Sequence, residues 1–395
     1  MERASEFINS LSFTLYRRIL LQRKPGDNIA VSPLGVLSAF ISVKDSDFGN
    51  SGEIFNTMSR IFEDSGKQPE QCFTELFTEL RLRVSGVSRP ADSVPTDCSS
   101  PSTSSEPAPM ESHMIFYGSV VDEIELSLLN TVFSWVGSDS SIGPDISRSM
   151  GDVMVMDAPA DDSNCALRFI NETMEKTTGR SIASSLTDCQ PPILLNILTF
   201  KGGWSEKFRK AKTAKNKFYM GDIEMEVDMM SLASHFNYAY YEPLDVDYLE
   251  ICYASGEASM LILLPRQKGG LEELEGKLEF KNITEVAELA NRMHEVHLFF
   301  PKFVIDNSTD LTVLSGRLGV QPKTGASCRL LHAAVIDVHE SGTGINNDEV
   351  GLQGAGTPGH PEPIEFVVDH PFMFLIRHNP TNCILFIGKL ENANA

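Results

Sequence analysis

The sequence has little of what most catalytic or anchored proteins display. Only two tryptophans occur in 395 residues, and the seven cysteines (Cys72, Cys98, Cys165, Cys189, Cys252, Cys328 and Cys383) never fall in a CxxC pair. An odd count without metal-type spacing fits reduced thiols better than a disulfide frame. There is no phosphate-cradling Gly-x-x-x-x-Gly-Lys, no Gly-x-Ser-x-Gly elbow and no HExxH, so the commonest nucleotide, hydrolase and zinc-protease signatures are missing. Basic charge is scarce: 33 Lys and Arg stand against 54 Asp and Glu, a formal charge of −21. Nucleic acids and anionic membranes call for a basic face, so neither is expected as a partner. No run of about eighteen apolar residues exists, which excludes a spanning helix. The start, Met1 to Ile8, shows no leader pattern, so the expected location is the cytoplasm or the extracellular space reached without a leader.

Neither a metal nor a cofactor is expected. His294 and His297 are three apart, a ligand spacing only on a helix, but His297 falls in the alternating run Val296 to Phe300. Strand alternation separates such a pair. Asp161-Asp162 reads as a solvated loop. Three glycosylation acceptors, at Asn171, Asn282 and Asn307, matter only in an exported chain.

What is present is apolar periodicity. With 42% hydrophobic residues the chain has material for a sizeable core. Phe7, Leu11 and Leu15 define an amphipathic helix that ends before Pro25-Gly26. Pro33 suits the first turn of a second helix, with Ser32 as its cap. Residues 84–113 hold nine Ser and five Pro, too little apolar material to offset the entropy of ordering, and read as an insertion inside one domain spanning 1–395. Phe169 to Lys176 reads as helix. Strand signals follow: Ile193 to Phe200, Met229-Met230, Tyr238 to Tyr241, Leu249 to Tyr253, Met260 to Leu264, Val296 to Ile305, Leu330 to Val338, Phe372 to Ile376 and Ile384 to Ile387. Helical patterns intervene at Leu271 to Leu278 and after Thr284, where Val286, Leu289 and Met293 share a face. Helices early and strands late, without alternation, predict an α+β fold with mostly antiparallel or mixed sheets.

One stretch stands apart. Ala334 to Val338 reads as a strand, Gly342 breaks it, and a polar segment runs on to the next apolar strand at Phe372. A long exposed segment tethered by core strands is uncommon unless it meets a partner.

The chain resembles a serpin, a member of the serine-protease-inhibitor superfamily. Asn28-x-x-x-Ser32-Pro33, Leu195 to Trp204, Ser259 to Pro265 and Phe300-Pro301-Lys302-Phe303 carry the likeness in order. So do Ala334 to Val338 before Glu340-x-Gly342-Thr343, His370-Pro371-Phe372 and Phe386-Ile387-Gly388. The resemblance implies three β-sheets with about eight or nine helices and a reactive-centre loop over 340–364. It also implies a mechanism: a target protease attacks the loop, which then enters the main sheet as a new strand. About fourteen residues at roughly 3.4 Å each would carry a tethered enzyme about 50 Å. No proline lies between Glu340 and Thr357 to obstruct this. By the same likeness Glu340 and Lys302, near Trp204, form a buried charge pair at the top of the sheet. Ser32, Asn196 and His332 form a polar cluster beneath the strands that part. The hinge comprises Glu340, Gly342, Thr343, Gly344 and Ile345.

Counting forward from Gly342 puts the reactive bond at Gly356-Thr357, and counting back from Pro371 puts it at His360-Pro361, a poor protease substrate because of the proline; the small residues point to a serine protease of elastase-like preference, and a monomer is expected. Three departures are visible. Gly35 stands where the family commonly has a second serine, and the segment after Gly319 is short. Gly344 to Glu349 replaces the usual Glu and small residues. By alternation Thr343, Ile345, Asn347, Glu349, Gly351, Gln353 and Ala355 face inward on insertion. A buried Glu349 disfavours insertion, so the alternative is a non-inhibitory, binding or chaperone-like member.

Overall fold

A computed structural model describes residues 2–42, 69–80, 83–84, 124–135, 154–158, 163–182, 193–312, 329–344 and 363–394. The apolar stripe of α1 (Glu2–Leu20) buries Phe7, Ile8, Leu11, Leu15 and Ile19, with Glu2 in its first turn and Arg17 and Arg18 in its last, as the helix dipole favours. β1 (Ile29–Val31) leads into α2 (Pro33–Ser42), where Ser32 Oγ accepts the Gly35 N–H at 3.1 Å as the expected cap. Then come α3 (Pro69–Glu79), β2 (Arg83–Val84), β3 (Glu125–Trp135), β4 (Met154–Ala158), α4 (Ser163–Thr178) and β5 (Ile193–Gly203). β6 (Ala214–Met220), β7 (Ile223–Tyr241), β8 (Val246–Cys252), β9 (Ala258–Pro265), α5 (Leu271–Lys277) and α6 (Phe280–Leu289) follow. The chain closes with β10 (Met293–Pro301), β11 (Phe303–Asp310), β12 (Arg329–His339), β13 (Gly342–Thr343), β14 (Ile364–Val367), β15 (Phe372–His378) and β16 (Cys383–Leu390).

The strands form a nine-stranded sheet, β1-β16-β15-β9-β8-β7-β10-β14 with β6 beside β7, and a seven-stranded sheet, β11-β12-β13-β5-β3-β2 with β4 beside β3. Three sheets were expected; two hydrogen-bonded networks result because β7 is continuous. Its 19 residues pair in turn with β6, β10 and β8, joining what would otherwise be two sheets. The described residues hold six α-helices, and a count over the whole chain lies outside them.

Three local expectations are corrected. Val296 to Ile305 is not one strand: the chain leaves β10 at Pro301 and enters β11 of the other sheet at Phe303, with the Lys302 N–H bonded to Asp228 at the corner. Met229-Met230 and Tyr238 to Tyr241 belong to the single strand β7. Val286 is buried, but Leu289 is exposed and Met293 opens β10, so the three share no helix face. His294 and His297, both on β10, point to opposite faces of that strand. Residues 85–113 and Asp161-Asp162 lie outside the described residues.

The central core packs α1 and α2 against β15, β16 and β9, whose strands are buried almost throughout. On the seven-stranded sheet, even-numbered residues of β5 and β12 face this core. Odd-numbered residues (Ile193, Leu195, Ile197, Leu331 and Ala333) meet Ile170 and Met174 of α4 on the opposite face.

Candidate functional site at the fork of the seven-stranded sheet

β5 and β12 run parallel and pair directly from Ile193–Arg329 up to Thr199–Val335. Above that rung they diverge, and β13 fills the fork. Gly342 sits opposite His339 and Gly203, and Thr343 opposite Val338 and Gly202, antiparallel to both neighbours. Glycine is needed there for close approach: a Cβ on Gly342 would lie 2.1 Å from the Gly202 carbonyl oxygen. The Gly344 N–H reaches the Asp337 carbonyl at 2.8 Å, and Gly344 itself has a φ of 69°. That left-handed conformation suits glycine, and a Cβ would press within 2.7 Å of the Phe200 carbonyl.

Thr343 is fully buried, facing the core, its hydroxyl 2.9 Å from that of Tyr253. The Tyr253 ring stacks on Trp204 with centroids 4.7 Å apart, and Phe200 meets Tyr253 at 4.8 Å. Trp204 in turn donates from Nε1 to the His339 carbonyl at 2.9 Å and from its backbone to Ser341. Glu340, 4% exposed, lies 3.0 Å from Lys302 Nζ and accepts from Thr213 Oγ1 at 2.8 Å. Burial pushes the Glu340 carboxyl up, but hydrogen bonds from Lys302, its own backbone N–H and Thr213 outweigh this and hold it below the usual carboxylate value.

Lower down, Asn130, Asn196 and His332 occupy one level across β3, β5 and β12. The Ser32 N–H donates to His332 Nε2 at 3.0 Å, so Nδ1 carries the proton and donates to Asn196 Oδ1 at 2.6 Å. Burial lowers the His332 pKa to about 3, which keeps the ring neutral. Asn196 Nδ2 donates to Asn130 Oδ1 at 2.7 Å, and Asn130 Nδ2 to Ser38 Oγ at 3.3 Å. Ser32 Oγ donates to the Leu385 carbonyl at 2.7 Å.

The structure therefore brings Glu340, Lys302 and Trp204 together at the top of the sheet, and Ser32, Asn196 and His332 together beneath it. Gly342, Thr343 and Gly344 lie within the fork; Ile345, Gly356 and Thr357 fall outside the described residues. Sequence reasoning missed Thr213, Tyr253, Ser38 and Asn130. Of these only Asn130 left a signal, an amide in the apolar run Leu128 to Phe133.

A fork between two central strands, occupied by the first residues of the segment that leads from β12 to β14, marks an α+β protein. The serpin (serine protease inhibitor) family model matches residues 122–393, and the chain belongs to this family. It is 30% identical to Iripin-2 of Ixodes ricinus over 253 residues, covering 59% of this chain and 62% of the relative. It is 32% identical to the leukocyte elastase inhibitor of Sus scrofa over 252 residues, covering 58% and 66%. The chain thus spans just under two thirds of these relatives' lengths. Human thyroxine-binding globulin superposes with a TM-score of 0.72 at 21% identity, covering 99% of this chain and 98% of that one. Serpin48 of Tenebrio molitor gives 0.66 at 22% identity, covering 98% of both.

Proposed function

We propose that this chain inhibits a serine protease as a suicide substrate: cleavage in the 340–364 loop lets its N-terminal arm enter the seven-stranded sheet. The observation that carries the reading is Thr343, already seated between β5 and β12 and hydrogen-bonded within the core. Insertion then extends an existing strand and needs no new nucleus. The chain acts as one domain, with 84–113 as an insertion within it, and as a monomer. Cleavage at Gly356-Thr357 favours an elastase-like target with small-residue preference, and the leukocyte elastase inhibitor among the relatives agrees with that choice.

The register of β13 adds a constraint. Six residues beyond Thr343, position 349 would arrive opposite Asn196 on one side and His332 on the other. Glu349 would thus enter where those two side chains now bond each other. This favours a second reading, a binding serpin whose loop is cut without trapping. Incubation with a panel of elastase-like and trypsin-like proteases separates the two. The inhibitor yields a complex that survives denaturant, and its loop-cleaved form melts far higher than the intact chain. Cleavage with neither outcome would sink the inhibitor reading.

A further inference from the structure

Ile170 and Met174 of α4 share one apolar cluster with Ile193, Leu195 and Ile197 of β5 and with Leu331 and Ala333 of β12. At its end the chain turns sharply: the Gly179 N–H bonds Glu175, the Thr178 hydroxyl donates to the Met174 carbonyl at 2.7 Å, and Thr178 Oγ1 accepts the Arg180 N–H at 3.2 Å. This turn fixes Arg180 on the α4 face of the sheet. Its guanidinium donates to the Asp337 carboxylate of β12 and lies 3.8 Å from Asp306 of β11. Asp337 also accepts the Gly344 N–H through its backbone carbonyl, so the contact stands over the tip of the fork. Two rungs below, Val335 and Thr199 are still paired.

The connection after Arg180 leads into β5 at Ile193, whereas both carboxylates belong to the strands across the fork. We infer that Arg180 is an electrostatic strap: it ties the chain entering β5 to β12 and β11, and sets the rate at which the loop advances past Gly344. Admitting a strand moves β5 and β12 apart by about 4.8 Å, further than a charge-assisted hydrogen bond stretches. Arg180 also offsets part of the repulsion between these two carboxylates on adjacent strands. The strap rests on the insertion reading above.

The test follows loop advance in full-length protein after cleavage by an elastase-type protease, using Trp204 fluorescence in a Trp135→Phe background. In 50 mM NaCl, Arg180→Gln advances roughly tenfold faster than the parent, the scale of one charge-assisted hydrogen bond. Arg180→Lys keeps most of the restraint. In 0.5 M NaCl the parent speeds up toward the Arg180→Gln rate, and the variant itself changes little. Asp337→Asn accelerates less than Arg180→Gln, because it removes a repulsive charge along with the contact. Equal rates for parent and Arg180→Gln, or a salt response that persists in Arg180→Gln, overturn the strap while insertion stands. If cleaved parent protein shows no advance and no rise in melting temperature, the insertion reading falls and takes the strap with it.

Discussion

Glu349 offers the most demanding test of the insertion reading. In the present state His332 Nδ1–H donates to Asn196 Oδ1, and parting β5 from β12 breaks that bond. A carboxyl group arriving at the same level can restore the chain of hydrogen bonds only as the neutral acid, its carbonyl oxygen accepting from His332 and its O–H donating to Asn196. A carboxylate would instead set its lone pairs against Asn196 Oδ1, buried and without compensation. Insertion should therefore take up one proton. Holding an ordinary glutamate of pKa about 4.3 neutral costs about 3.7 kcal/mol at pH 7 and about 1 kcal/mol at pH 5. That is an upper limit, since transfer of the proton to His332 would make the cost smaller. The sign is fixed: the inserted state binds the extra proton, so lowering the pH favours insertion, by up to tenfold per pH unit between about 5 and 7. Glu349→Gln makes the same hydrogen bonds without titrating. It should raise the insertion rate or equilibrium at pH 7 by up to about 500-fold, shrink that advantage to several-fold at pH 5, and flatten the pH profile. The assay is the stoichiometry and rate of protease inhibition from pH 5 to 8, with loop advance read by Trp204 fluorescence. A parent profile independent of pH, matched by Glu349→Gln, would refute the argument.

Three further outcomes are expected. Because Glu340 is held below the usual carboxylate value, its pairing stabilises the fold above the unfolded glutamate pKa of about 4.3 and is lost as pH falls through the folded value. Urea midpoints measured from pH 3 to 6 should show Glu340→Gln removing part of the parent's acid sensitivity, and Lys302→Met lowering the midpoint at pH 7 because Glu340 is left buried without its cation. A Cβ on Gly35 would lie 2.8 Å from Asn196 Oδ1 and 3.3 Å from His332 Cε1. Gly35→Ala, and the family-like Gly35→Ser, should each cost about 1–3 kcal/mol of overpacking, visible as a lower melting temperature. Finally, Asn282 is buried with its Nδ2 donating to Tyr241, and Asn307 Nδ2 donates to the Asn28 carbonyl. If the chain is routed through a secretory host, mass spectrometry should find both acceptors unmodified.

Much of the fold was legible because its core strands are apolar throughout and its helices carry clean stripes, as in β9, β16 and α1. Boundaries failed where one backbone serves two sheets. The apolar run from Val296 to Ile305 hides the corner at Lys302, since the residues on both sides are equally buried. β7 reads as fragments because exposed polar residues interrupt its alternation. The site was legible only through likeness. Nothing in the spacing of Ser32, Asn196 and His332 brings them together; the parallel register of β5 and β12 and the cap of α2 do. Thr213 and Tyr253 could not be found, because each meets the hinge across ninety residues of chain or more through a single hydroxyl. The reach of Arg180 was equally hidden, depending on a turn closed by Thr178.

The pairing of β5 with β12 has a consequence of its own. It is a parallel join in a sheet whose flanking pairs, β11 with β12 and β3 with β5, are antiparallel. Parallel rungs are slanted and slightly weaker per residue, so this join is a grain boundary between two antiparallel pairs. An incoming antiparallel strand erases it, replacing one mismatched line with two matched ones, as Gly342 and Thr343 already do at the top. On the insertion reading this gain comes from the order of the strands, and single side chains such as Glu349 add to it or subtract from it. Substitutions would then change the rate and the balance of insertion, while this one contribution belongs to the topology.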